Sequence, residues 1–297
     1  MSEILSPING VSKTFLVKKL EISKIKDSYK GFNIDISRFF PKDADFIEIR
    51  ECEDTGYRFY YPLNLDGDGE FYEALQKYPW YYEPWKWEYD EAIKHVKKED
   101  KILEIGSGGN KFIEKLASLG YDITGLELNQ DAVKKGLAKG LNVLPDSIQQ
   151  HAEKFKSYYD VVASFQVVEH IADVQSFMQS SVDTLKSGGT LIVSVPNNDS
   201  YMKLREYASL NMPPHHMGLW TKDSLTKMGE HFDLKFDGIT FEPFSKFRRP
   251  YFYSVMHEGK KPYLFYKIAR NFWPFLIERK YSKEFLGFTI QAKFIKI

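Results

Sequence analysis

One stretch, Lys101–Asn129, constrains the fold of this chain more than any other. The apolar run Ile102–Ile105 ends in Gly106-Ser107-Gly108-Gly109, a helical pattern follows, and a second apolar run ends at Glu127. The acid falls about 20 residues past the glycines, the spacing of a strand–turn–helix–strand unit that holds a nucleoside at the carboxyl edge of a parallel sheet. The regular alternation continues downstream. Strands are predicted at Asp122–Leu126, Leu141–Leu144, Asp160–Phe165 and Thr190–Val195, with helices between them. The helix before the last of these is expected to close at Gly188-Gly189. Uninterrupted β-branched strands between helices predict an α/β fold with a doubly wound, mostly parallel sheet covered on both faces.

The glycines narrow the ligand. A dinucleotide site needs a third glycine five residues after Gly106, where this chain has Lys111. Glu104 stands two residues before the turn, where a pyrophosphate gains nothing from a negative charge. A carboxylate there suits a ligand with a cationic end. LEIGSGGN resembles the first motif of the class I S-adenosylmethionine-dependent methyltransferases. The resemblance implies a seven-stranded, Rossmann-like sheet whose last strand is antiparallel and slots between strands five and six. It implies S-adenosyl-L-methionine as cofactor, with Gly106, Ser107 and Gly108 close to it, Glu104 at its polar end and Glu127 on the ribose hydroxyls. Leu128, Ser147 and Ile148 extend that set toward the adenine, where Asp146 and Gln149 also offer hydrogen bonds. Phe165 and Gln166 hold the place beside the methionine part.

The chain has 297 residues and no net charge, so nothing in its charge balance favours nucleic acid. Its single cysteine, Cys52, excludes an intramolecular disulfide and any multi-cysteine zinc site. No apolar run is long enough to span a bilayer, and the first residues lack a continuous signal core, so the expected location is cytoplasmic. Four regions are expected. Residues 1–75 form a β-rich appendage, with a hairpin of Phe46–Arg50 and Tyr57–Tyr61. Residues 76–243 form the core. Residues 244–283 form a helical, aromatic insertion carrying ten Lys or Arg against two Glu. Residues 284–297 supply the terminal strand. By their alternation, the late strands at Phe232–Phe236 and Phe288–Phe294 are expected to be half exposed or at an edge.

Two segments extend the resemblance. YDVVASFQVVEHI, at Tyr159–Ile171, is similar to the segment after strand four of small-molecule methyltransferases, including ubiquinone-biosynthesis O-methyltransferases. It lacks the Pro-Pro-aromatic motif with which base-methylating enzymes stack a flipped base. Some ubiquinone-type relatives bind a divalent cation here through two glutamates and a histidine. This chain has Gln166 in place of the first, beside Glu169 and His170, so no metal is expected. Pro213-Pro214-His215-His216 lies beyond strand five, on the side where acceptors bind in such sheets. A similar stretch occurs in a subgroup associated with glycan and nucleotide-sugar pathways.

The expected activity is O-methylation of a small molecule such as a sugar, nucleotide-sugar or glycan. His215, His216 or His170 would take the acceptor's proton, since imidazole titrates near neutrality. Tyr81, Tyr82 and Trp85, from the aromatic run YPWYYEPWKWEY, would cover the sulfur or the acceptor, and Arg248 and Arg249 would pair with an acceptor phosphate. Carbon or nitrogen methylation, or a non-catalytic binding subunit, stand as alternatives, because a fold does not set the acceptor.

Overall fold

A computed structural model describes residues 3–78, 81, 85–244, 281 and 283–297. The strands in chain order are β1 (Thr14–Glu21), β2 (Phe46–Cys52), β3 (Arg58–Tyr61), β4 (Lys101–Ile105), β5 (Asp122–Leu126), β6 (Val143–Leu144), β7 (Tyr159–Phe165), β8 (Leu185–Pro196), β9 (Gly218–Leu219), β10 (Leu234–Phe241) and β11 (Thr289–Lys296). The α-helices are α1 (Ile22–Tyr29), α2 (Gly69–Gln76), α3 (Trp87–Ile93), α4 (Lys111–Ser118), α5 (Gln130–Ala138), α6 (Ile148–Lys154), α7 (Val174–Thr184), α8 (Lys222–Met228) and α9 (Lys283–Leu286).

The main sheet has seven strands in the order β10-β11-β8-β7-β4-β5-β6. β4 pairs parallel with both β5 and β7, while β11 runs antiparallel to β8 and β10. The chain thus winds outward from β4 in one direction, then returns to build the other half from β7. The carboxyl ends of β4 and β7 form the switch point at which α/β sheets bind ligands.

Alternation along the strands feeds two cores. Leu103, Ile105 and Val162 pack on one face with Phe177, Met178 and Leu225 of α7 and α8. Ile102, Val161 and Ala163 pack on the other with Phe112, Ile113 and Leu116 of α4. No helix among the described residues is long and apolar enough to cross a membrane.

Two expectations need correction. β11 is neither half exposed nor at an edge. Ile290, Ala292 and Phe294 are fully buried, and so are Thr289 and Gln291. Gln291 reads as a surface residue, but its amide donates to Ser194 Oγ at 2.9 Å and to the Glu88 carbonyl at 2.8 Å. A hydrogen-bonded polar side chain can be interior, so alternation in sequence is not alternation in exposure. The second correction concerns Gly188-Gly189. α7 ends earlier, at Thr184, and the glycines lie inside β8, where its register with β7 shifts between Tyr159 and Val161.

A second, four-stranded sheet has the order β1-β2-β3-β9. Its fourth strand comes from beyond β8: Arg58 pairs with Leu219 and Phe59 with Gly218. The Tyr29 and Tyr60 hydroxyls donate to the carbonyls of Met212 and Asn211 at 2.8 and 2.9 Å. The N-terminal sheet therefore grips both ends of the Pro213–His216 loop and sets where its imidazoles stand.

Candidate functional site

The turn after β4 depends on one backbone conformation. Gly106 has φ +74°, and a Cβ there would lie 2.6 Å from Val167 Cγ2. Only glycine meets both conditions without strain. The amides of Gly106 and Ser107 both donate to the Leu126 carbonyl, at 2.8 and 2.9 Å. Glu127, just past β5, accepts from the Gly108 amide through Oε2 at 2.6 Å and from the Asn129 amide through Oε1 at 2.7 Å. Each carboxylate oxygen keeps acceptor capacity for a ligand hydroxyl.

Sequence reasoning passed over Asn110. It sits buried at φ +59°, accepts from Ser107 Oγ at 2.9 Å and donates to the Ala132 carbonyl at 2.8 Å. The available signal was an asparagine directly after two glycines, since asparagine tolerates the left-handed region. Ser107 is correspondingly turned inward, its hydroxyl engaged by the protein.

Beside this turn lies a cavity of about 220 Å³, lined by Gly106, Glu127, Leu128, Ser147, Ile148 and Gln149 among others. Ser147 caps α6 by accepting from the Gln150 amide at 3.2 Å. Phe165 does not reach the cavity. It is buried edge-on against Phe112 and Tyr89, at 4.9 and 5.0 Å between ring centres, so its side chain belongs to the core.

Four buried polar atoms at this end of the sheet lack any hydrogen-bond partner: Glu104 Oε2, Ser164 Oγ, Gln166 Nε2 and Glu169 Oε2. Burial pushes the Glu104 carboxyl well above its ordinary range, and the Lys86 ammonium and the Ile113 amide offset only part of that. Gln166 is held at φ +57°, in a conformation a non-glycine residue rarely adopts. Buried polar groups are almost always partnered, so an orphaned set at a switch point marks a place for a polar ligand. A cationic ammonium would relieve Glu104.

Across the loop that follows β8, His170, His215 and His216 form one cluster, with ring centres 4.6 to 4.8 Å apart. His215 and His216 are buried and His170 partly so. Each Nδ1 faces an oxygen: His170 the His215 carbonyl at 2.5 Å, His215 the Leu210 carbonyl at 2.9 Å, and His216 the Asn211 side-chain oxygen at 3.1 Å. A carbonyl only accepts, so each Nδ1 carries the proton and each Nε2 keeps its lone pair. Burial pushes His170 down to about 4 and the other two well below their ordinary value, so all three are neutral imidazoles near pH 7. Glu169, with Oε1 3.9 Å from His170 Nε2, is pushed up to about 8 by burial.

Tyr81 joins this cluster, its hydroxyl 3.2 Å from His215 Nε2. Trp85 does not. Its indole donates to Asp90 at 2.9 Å and packs edge-on against Tyr89, so the ring braces α3. Tyr82, Arg248 and Arg249 lie outside the described residues, as does nearly all of the insertion.

Residues 80–237 match the family described as "Methyltransferase domain". The chain is 31% identical over 108 residues to the ubiquinone biosynthesis O-methyltransferase of Pectobacterium carotovorum, covering 34% of this chain and 44% of that protein. The corresponding protein of Shewanella sp. is 30% identical over 107 residues, covering 33% and 44%. The chain thus spans less than half the length of these relatives. Among solved structures, a SAM-dependent methyltransferase from Archaeoglobus fulgidus superimposes with a TM-score of 0.50 at 18% identity, over 70% of this chain and 91% of that one. This likeness bears on the fold.

Proposed function

Since the chain belongs to the methyltransferase-domain family, with the class I S-adenosylmethionine-dependent fold, we propose that it methylates a hydroxyl of a small molecule, of the sugar, nucleotide-sugar or glycan class. The observation that carries the cofactor side is the orphaned Glu104 oxygen beside a glycine turn that a single Cβ would block. When bound, S-adenosylmethionine supplies an activated methyl on a sulfonium, transferred in line to the acceptor oxygen. The protein's part is alignment, exclusion of water and removal of one proton.

Glu127 takes the ribose hydroxyls through the acceptor capacity its two backbone contacts leave over. The cleft at Leu128, Ser147 and Ile148 takes the adenine. Glu104 takes the ammonium, and Gln166 the neighbouring polar atoms. On the acceptor side, an Nε2 of the histidine cluster accepts the hydroxyl proton as the carbon–oxygen bond forms and the carbon–sulfur bond breaks, leaving a methyl ether and the thioether. Neutral imidazoles with exposed lone pairs suit that role. Tyr81 borders the acceptor. An oxygen acceptor agrees with the O-methyltransferases to which the chain is similar, and a sugar-phosphate acceptor agrees with the ten cations of the insertion.

The direct test is transfer of labelled methyl from S-adenosylmethionine to pools of nucleotide-sugars and glycans. Label in an ether, stable to mild base, is the expected result. Label on carbon or nitrogen, or cofactor binding with no transfer to any pool, would replace this reading by one of its alternatives.

A further inference from the structure

We propose that His170, His215 and His216 form a binding site for one divalent transition-metal ion of the zinc class, with the three Nε2 atoms as ligands. Among the described residues this is the group of side chains that could hold a metal, one ring nitrogen from each lying within 4.8 Å of the others.

The hydrogen bonds around the rings carry the inference. A metal-binding histidine needs its second nitrogen fixed by an acceptor, which selects the tautomer and aims the ring. Here all three Nδ1 atoms are so fixed, by the His215 carbonyl, the Leu210 carbonyl and the Asn211 side chain. With every Nδ1 committed to an oxygen, Nε2 is the nitrogen each ring has left for a metal, and the stacked rings of His215 and His216, 22° apart in plane, must tilt to share one ion. A core packing role alone would not require every Nδ1 to be so committed. Zinc–nitrogen bonds of about 2.0–2.1 Å at tetrahedral angles bring ligand atoms to about 3.3 Å, so the rings draw together on loading. The Tyr81 hydroxyl, 3.2 Å from His215 Nε2, holds that lone pair in the ion-free protein and must yield to the metal.

The donor set also determines which metal. Three neutral imidazoles suit Zn²⁺, Co²⁺ or Ni²⁺ and not Mg²⁺, which demands oxygen ligands. Glu169 is buried with Oε1 3.9 Å from His170 Nε2, so a carboxyl stands on the same side of that ring as the proposed ion. Three protein ligands leave a fourth position open. An acceptor hydroxyl held at that position would be acidified and would release its proton to water, and the Nε2 atoms would then act as ligands in place of the base role proposed for the ion-free protein. The site does not depend on the identity of the acceptor.

The full chain, stripped with a chelator and titrated with Co²⁺, tests this. The expected result is one equivalent bound, with the visible d–d absorption of a tetrahedral nitrogen site, bleached by Zn²⁺ and unaffected by excess Mg²⁺. His216→Gln and His170→Gln should each weaken binding by tenfold or more while retaining the wild-type thermal transition and adenosylhomocysteine affinity. Absence of the absorption, competition by Mg²⁺, or unchanged Co²⁺ affinity in either folded variant would overturn the assignment. Cofactor binding is read separately, so its loss would indict the cofactor site and not the metal site.

Discussion

Glu127 Oε2 lies 2.6 Å from the Gly108 nitrogen and accepts its hydrogen bond, tying the end of β5 to the turn that follows β4. The acid is thus a structural brace before any ligand arrives. The same contact fixes one edge of the cavity in which a nucleoside's sugar would sit.

Gly106→Ala adds a Cβ at 2.6 Å from Val167 in a backbone region that disfavours side chains. The left-handed conformation alone costs about 1–2 kcal/mol. Adenosylhomocysteine affinity should fall tenfold or more by calorimetry, with the fold retained. Wild-type affinity would remove Gly106 from the cofactor wall.

Glu104 provides a linkage test. Burial favours its protonated form in the free protein, and a bound ammonium favours the carboxylate. Binding should therefore release a proton, and affinity should rise with pH until the carboxyl of the free protein is ionised. Calorimetry in two buffers of contrasting ionisation enthalpy reads the proton directly. Glu104→Gln should abolish both effects, whereas proton uptake in the wild type would contradict the placement.

Much of this was legible in the chain. The glycine turn, Glu127 and the strand–helix alternation are local patterns, because each depends on neighbours a few residues away. What sequence concealed is long-range. The inward turn of Ser107 is secured by Asn110 reaching the Ala132 carbonyl 22 residues away, and the packing of Phe165 depends on Tyr89 of α3. Gln291 becomes interior only because Ser194 and Glu88 supply acceptors. The three-histidine cluster brings His170 to the adjacent pair His215 and His216, which begins 45 residues further on, and is set by the grip of the N-terminal sheet on the loop, which no periodicity encodes.

Stability should carry a signature of Glu169. Its folded value of about 8 exceeds its ordinary 4.5, so the folded state holds a proton that the unfolded chain has lost across that window. Stability contributed by this group is greatest at low pH and declines as pH rises, by up to about 1.4 kcal/mol per pH unit. The histidines act in the opposite direction, but only below their ordinary 6.5. Urea midpoints should thus fall between pH 6.5 and 8, and Glu169→Gln should flatten much of that slope. An unaltered slope would show Glu169 to be ionised in the folded protein.

His215→Ala and His216→Ala should lower kcat by about 10²–10⁴-fold while changing adenosylhomocysteine affinity little. Turnover and calorimetry on the same preparations separate the two. Unchanged turnover in both variants would dismiss the cluster from the chemistry.

In the proposed reading, the turn at Gly106–Gly108 and the carboxylate of Glu127 hold a sulfonium nucleoside. Calorimetric titration of the wild type and of Glu127→Ala with adenosylhomocysteine and with NADH tests it most directly. The expected result is one site for adenosylhomocysteine, weakened tenfold or more in the variant, and no heat from NADH. Uptake of NADH with indifference to adenosylhomocysteine would contradict it.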